Sequence, residues 1–111
     1  MSYHTAYTIS VDNVPDDILE KIKDRMEELG IIGYAVNYDL SCAEPVNWFS
    51  EEEDMLILSR EFSDVHFEVH GEGENQGDIW EDHFLGGKVQ RCNAQIVIPE
   101  FDPEQLVDPD N

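Results

Sequence analysis

The sequence predicts an α+β fold: a single-layer, mixed or antiparallel sheet of about five strands, with two helices on one face, in the order β-α-β-α-β-β-β. Three observations carry this reading. The stretch from Val65 to Ile98 alternates apolar and polar residues and crosses two Gly-rich turns, as a three-stranded meander does. Residues 15–29 repeat apolar side chains at helical spacing. A chain of 111 residues with 41% hydrophobic content suits one domain built on one core.

The elements follow in order. Residues 5–11 (TAYTISV) read as a strand with Tyr7, Ile9 and Val11 on one side. Pro15 suits the first helical position, where its missing N–H is harmless. In the helix that follows, Ile18, Ile22, Met26 and Leu29 fall within about 80° at 100° per residue. Gly30 is placed to stop it. The opposite side carries Asp16, Glu20, Asp24 and Glu28, a row of acids four residues apart. Lys21, Lys23 and Arg25 are spaced to relieve the repulsion through Asp17, Glu20 and Glu28.

Residues 31–40 (IIGYAVNYDL) read as a second strand with Tyr34, Val36, Tyr38 and Leu40 on one face, joined to the first by a right-handed crossover. The loop after it presents Trp48 and Phe49 as core-edge aromatics. Ser50 with Glu53 matches a capping box, and Glu51, Glu52, Glu53 and Asp54 suit the positive end of a second helix that ends near Ser63. In the meander, Val65, Phe67 and Val69 point one way and His66, Glu68 and His70 the other. Residues 71–77 (GEGENQG) read as a turn, residues 78–85 and 88–98 as strands, and Gly86-Gly87 as their hairpin. Residues 1–99 make the domain. Residues 100–111 (EFDPEQLVDPDN) make an acidic, Pro-interrupted tail, unstructured or loosely docked, or else a short docking motif around Leu106-Val107.

Charge is the outlying property. There are 26 acids and 6 bases, a formal net charge of −20. Cut at residue 55, each half holds 13 acids and 3 bases, so the charge belongs to the whole body and not to a tail. Such a surface repels nucleic acid and anionic lipid and attracts basic proteins. Six bases cannot supply the counterion release that nucleic-acid binding needs. No apolar run approaches a membrane span, the N-terminus lacks a signal-peptide pattern, and Cys42 and Cys92 lie outside any CxxC. A cytoplasmic protein with reduced thiols is the expectation.

Candidate chemistry is sparse. His66, Glu68 and His70 share one strand face, and His83 is placed to complete a metal-ligand set; polar residues on an open sheet face are the commoner explanation. Residues 72–83 imitate a calcium loop, but Glu72 stands where Asp is expected and His83 where a bidentate Glu is required. No nucleophile elbow, phosphate loop or dinucleotide fingerprint is present, so neither an enzyme nor a cofactor is expected.

The pattern GEGE, a short spacer, GDIW, HF, GGK and Q in residues 70–90 resembles a hairpin of small proteins of phages and mobile elements. In size and acidity the chain is also similar to phage anti-restriction and anti-CRISPR proteins, several of which imitate DNA. That second resemblance implies a class of function and transfers no site residue. It makes the expected function a non-enzymatic inhibitor that occupies a basic nucleic-acid-binding groove of a bacterial defence nuclease. The contact residues would be Asp16, Glu20, Asp24 and Glu28, then Glu51, Glu52, Glu53 and Asp54, then Glu72, Glu74 and Asp78, with Trp80 or Trp48 as aromatic anchor. An immunity or adaptor protein with a mixed aromatic and acidic surface is the alternative, and a small metal protein using His66, Glu68 and His70 is the third reading.

Overall fold

The structure, a computed structural model, describes residues 3–109. It is an α+β fold. Strand β1 (Thr5–Val11), helix α1 (Asp16–Glu28), helix α2 (Glu51–Glu61) and strands β2 (Phe67–Gly73), β3 (Ile79–Leu85) and β4 (Lys88–Asn93) follow one another. The four strands form one antiparallel sheet in the order β1-β2-β3-β4. Their register makes the two faces explicit, because directly paired residues share a face. Ile9 pairs with Val69 and Phe67 with Phe84. These side chains bury one face against Ile22 and Met26 of α1 and Met55 and Leu58 of α2. The other face is open and polar.

The sheet has four strands where five were expected. Residues 31–40 form turns. Gly33 (φ 95°) and Leu40 (φ 70°) enter the left-handed region, which interrupts an extended strand. Ile31, Ala35, Val36 and Leu40 are buried while Tyr34 and Tyr38 are exposed, a spacing no strand produces. There is therefore no β-α-β crossover. The segment still protects the free edge of β1. Ile9 N–H donates to Leu40 O at 3.1 Å, and Thr5 and Val46 exchange hydrogen bonds at 2.8 and 3.0 Å.

Two local expectations change in detail. Ser50 precedes α2 without capping it, because its hydroxyl donates to Asp54 Oδ2 at 2.8 Å. Phe49 is 92% exposed, whereas Trp48 is buried and meets Tyr7 edge-on at 5.2 Å. Of the relieving ion pairs on α1, only Arg25–Glu28 forms among the described residues, at 3.4 Å; Arg25 makes its shorter bonds to Glu61, at 2.8 and 2.9 Å.

The GEGE–GDIW–GGK pattern is explained by packing. Gly71 and Gly73 belong to β2, and the turn proper begins at Glu74. Gly71 pairs with Trp80, whose indole fills the space a side chain would occupy. Gly73 is crowded by Asp78 and Tyr3, which are hydrogen-bonded to each other. Gly86 (φ 58°) and Gly87 (φ 78°) give the left-handed pair that a two-residue hairpin needs.

Beyond Phe84 no described residue is buried. Ala94 N–H reaches Ile79 O at 2.8 Å, the start of β3, and residues further on have no strand beside them. Ile96 lies against Gly77, and the exposed chain continues to a short 3-10 turn at Pro103–Gln105, capped by Asp102. The radius of gyration, 18.2 Å, exceeds the roughly 13 Å of a compact chain this long.

Candidate functional site

Three groups of side chains are distinct enough to carry function: the helix acids, a buried carboxylate pair, and a histidine–carboxylate array on the open sheet face.

Asp16, Glu20 and Asp24 are exposed and have no ion pair or side-chain hydrogen bond among the described residues. Glu28, also exposed, has only its contact with Arg25. Glu52 and Glu53 are exposed and free in the same sense. The other acids of the expected surface are engaged. Asp54 accepts from the Trp48 indole at 2.9 Å and from Ser50. Glu74 accepts from His4, Asp78 from the Tyr3 hydroxyl at 2.5 Å, and Glu72 lies 3.3 Å from His70. The acidic turn follows Gly73, the partner of Thr5, whereas α1 follows Val11, the partner of Phe67. The turn therefore lies at the far end of a strand about 20 Å long from the start of α1. It does not extend the acid row from that end. Accessible area also counts against a uniform DNA-like surface. Spread over 7697 Å², the charge averages about one per 400 Å², against roughly one per 100 Å² on duplex DNA.

Glu51 and Trp80, both expected at the surface, are buried, at 5% and 8% exposure. The first turn of α2 packs onto the sheet and carries Glu51 toward Asp82 and Arg91. Arg91 donates from Nε and Nη2 to the two Asp82 oxygens, each at 2.7 Å, lies 3.6 Å from Glu51 and stacks 4.4 Å over Trp80. Oε2 of Glu51 is buried with no hydrogen-bond partner among the described residues. Burial first, and the adjacent Asp82 second, push the Glu51 carboxyl up to about 9. Burial alone would raise Asp82 as well, yet the guanidinium of Arg91 holds it below its usual range. This pair was not legible beforehand: Asp82 occupies an inward strand position, and the run of four acids concealed that its first member turns inward.

The open face collects Asp12, His66, Glu68, His70, Glu81 and His83. Glu68 pairs with His83 and His70 with Glu81 across β2 and β3. His66 Nδ1 lies 2.9 Å from Asp12 Oδ2, and its Nε2 lies 2.9 Å from His83 Nδ1. The two rings are nearly parallel, with centroids 5.2 Å apart and an interplanar angle of 18°. His83 Nε2 faces Glu81 Oε2 at 3.4 Å and Glu68 Oε1 at 3.9 Å. His70 Nδ1 approaches the other Glu81 oxygen at 3.6 Å. A hydrogen bond shared with Glu81, then partial burial, push the Glu68 carboxyl up, and the same contact holds Glu81 down. The expected trio His66, Glu68 and His70 does not converge, because same-face residues on one strand are spaced by about 7 Å. Convergence comes from the neighbouring strand: Glu68, Glu81 and His83 each offer an atom within 4.8 Å of the others. A shallow depression of about 520 Å³ opens beside them, with His66, His83 and Cys92 on its wall.

The chain matches no protein-family model, no curated protein and no solved structure. No helix among the described residues is long and apolar enough to cross a membrane.

Proposed function

We propose that this protein is a non-enzymatic inhibitor whose α1 face occupies a basic nucleic-acid-binding groove on a partner protein, such as a nuclease of a bacterial defence system. The observation that carries it is the row Asp16, Glu20, Asp24 and Glu28: exposed, in line, and offset by one base, Arg25, that is mainly engaged elsewhere. Successive acids on this row are spaced by about 6 Å, close to the separation of phosphates along one nucleic-acid strand. Like charges at this spacing weaken a helix, so the row has a local penalty that partner binding would offset. Glu52 and Glu53 add a second acidic patch. The working compartment is the cytoplasm of the host cell, where such a nuclease acts, and neither nucleic acid nor membrane is bound directly. Association driven by these charges is fast and weakens with salt.

The test is competition. The full chain, used to recover basic nucleases from host lysate, should block cleavage of duplex DNA by the one it captures. Asp16, Glu20, Asp24 and Glu28 changed together to Lys should abolish inhibition, and raising salt should relieve it. Unchanged inhibition by that variant would refute the reading.

Phe49 supports a second reading. At 92% exposure it stands one residue before the N-cap of α2, close in sequence to Glu52 and Glu53. An immunity or adaptor protein would use such a mixed aromatic and acidic surface, its affinity resisting salt and falling with Phe49→Ala.

A further inference from the structure

We infer that Glu68, Glu81 and His83 form a binding site for one divalent transition-metal cation on the open face of the sheet. The inference is independent of the inhibitor reading, since it uses a different surface.

Hydrogen-bond polarity is the first argument. Asp12 is a carboxylate and can only accept, so His66 Nδ1 carries the proton in that 2.9 Å contact. If His66 is neutral, its bare Nε2 accepts from His83 Nδ1 at 2.9 Å. His83 is left with a lone pair on Nε2, aimed at Glu81 Oε2 and Glu68 Oε1. That lone pair thus faces two carboxyl groups. The reverse polarity requires a charged His66.

Distance is the second argument. Two metal–ligand bonds of about 2.1 Å meeting at a tetrahedral angle put their donor atoms about 3.4 Å apart. The His83–Glu81 separation is 3.4 Å and the His83–Glu68 separation 3.9 Å. Small side-chain rotations close the remainder.

The surroundings are the third. Metal-bound histidines usually donate their other N–H to a partner that fixes ring and tautomer. His66, itself held by Asp12, does this for His83. His70 approaches Oε1 of Glu81 and leaves Oε2 to face the site. Among the described residues the ion-pair partners of Glu68 and Glu81 are histidines alone, so no Lys or Arg neutralises either carboxylate, although Lys88 lines the adjoining depression. One imidazole and two carboxylates without a thiolate suit zinc, cobalt or manganese, and a position is left open to solvent.

Titration of the full chain with Zn²⁺ or Co²⁺, in excess Mg²⁺ to suppress the general cation atmosphere of an acidic protein, tests this. One equivalent should bind saturably, with visible absorption bands for Co²⁺. His83→Ala, Glu81→Gln and Glu68→Gln should each weaken binding by more than about tenfold, and His66→Ala by about tenfold. His4→Ala, at the far turn, should change nothing. Nitrogen-15 NMR of the metal-free chain should show the His83 proton on Nδ1. Uptake that Mg²⁺ displaces, equal affinity in the His83 and Glu81 variants, or a metal-free His83 protonated at Nε2 with no stoichiometric uptake would each overturn the site. The altered side chains lie on the open face, so unchanged circular dichroism and melting temperature confirm folded variants.

Discussion

Gly71 faces Trp80 across the β2–β3 ladder, and a Cβ added at residue 71 would lie 2.3 Å from the indole ring. The Gly is therefore the floor on which Trp80 rests, with Tyr7 edge-on at 5.8 Å and Arg91 on the ring face. Gly71→Ala forces the indole to move and should destabilise by about 1–3 kcal/mol. Equilibrium denaturation followed by tryptophan fluorescence measures it.

Phe84 and Phe67 are paired, fully buried neighbours at the centre of the covered face. Phe84→Ala should lower stability by about 3–5 kcal/mol, enough to unfold a marginal domain of this size. A thermal melt or urea titration reports it directly.

Glu51 makes stability pH-dependent. Its folded carboxyl titrates near 9, well above the ordinary value of 4.5 expected in the unfolded chain. Between those values the folded state holds a proton that unfolding releases, so stability falls as pH rises, at no more than about 1.4 kcal/mol per pH unit from this group. Asp82, shifted down, acts in the opposite sense only in the acid range below its ordinary value of 3.8. Glu51→Gln supplies a neutral amide of the same shape and should flatten the dependence across pH 5–8. A slope unchanged in that variant would assign it to other groups.

The acid row on α1 predicts opposite effects on stability and function. Glu20→Lys turns like-charge contacts with Asp16 and Asp24 into favourable ones and should raise stability by about 0.2–0.5 kcal/mol per contact. The same change should weaken capture of a basic partner. A variant that is both more stable and fully inhibitory would remove the row from the contact surface.

How far the sequence led depends on what had to be read from it. Alternation in β1 and the meander, the Ile18–Leu29 stripe and the Gly86-Gly87 hairpin all reflect local periodicity, and each became an element, except that the last strand, expected over residues 88–98, ends at Asn93 because no strand runs beside the residues after it. Residues 31–40 failed because Tyr34, Val36, Tyr38 and Leu40 alternate by accident of composition. Left-handed turns at Gly33 and Leu40 separate residues that a strand would align. The site was legible only in part. His66, Glu68, His70 and His83 stood out by type, but which of them meet depends on register between β2 and β3, and Glu81 gave no sign of its role. The inward turn of Glu51 likewise follows from the seating of α2 on the sheet, which no local pattern records.

Residues 88–98 carry Lys88 and Arg91 and no acid, on a body with a net charge of −20. They comprise the exposed edge strand β4 and the exposed Ile96, Val97 and Ile98. Edge strands and apolar β-branched runs are templates for self-association, and here mutual repulsion between copies is the guard. Colloidal stability is thus borrowed from charge and is lost as ions shorten its range. Light scattering of the full chain should rise with salt, and a chain ending at Ala94 should stay monodisperse while melting within a few degrees of the original. In the proposed complex, salt that loosens the hold on a basic partner would also remove the repulsion that keeps the molecule's own copies apart.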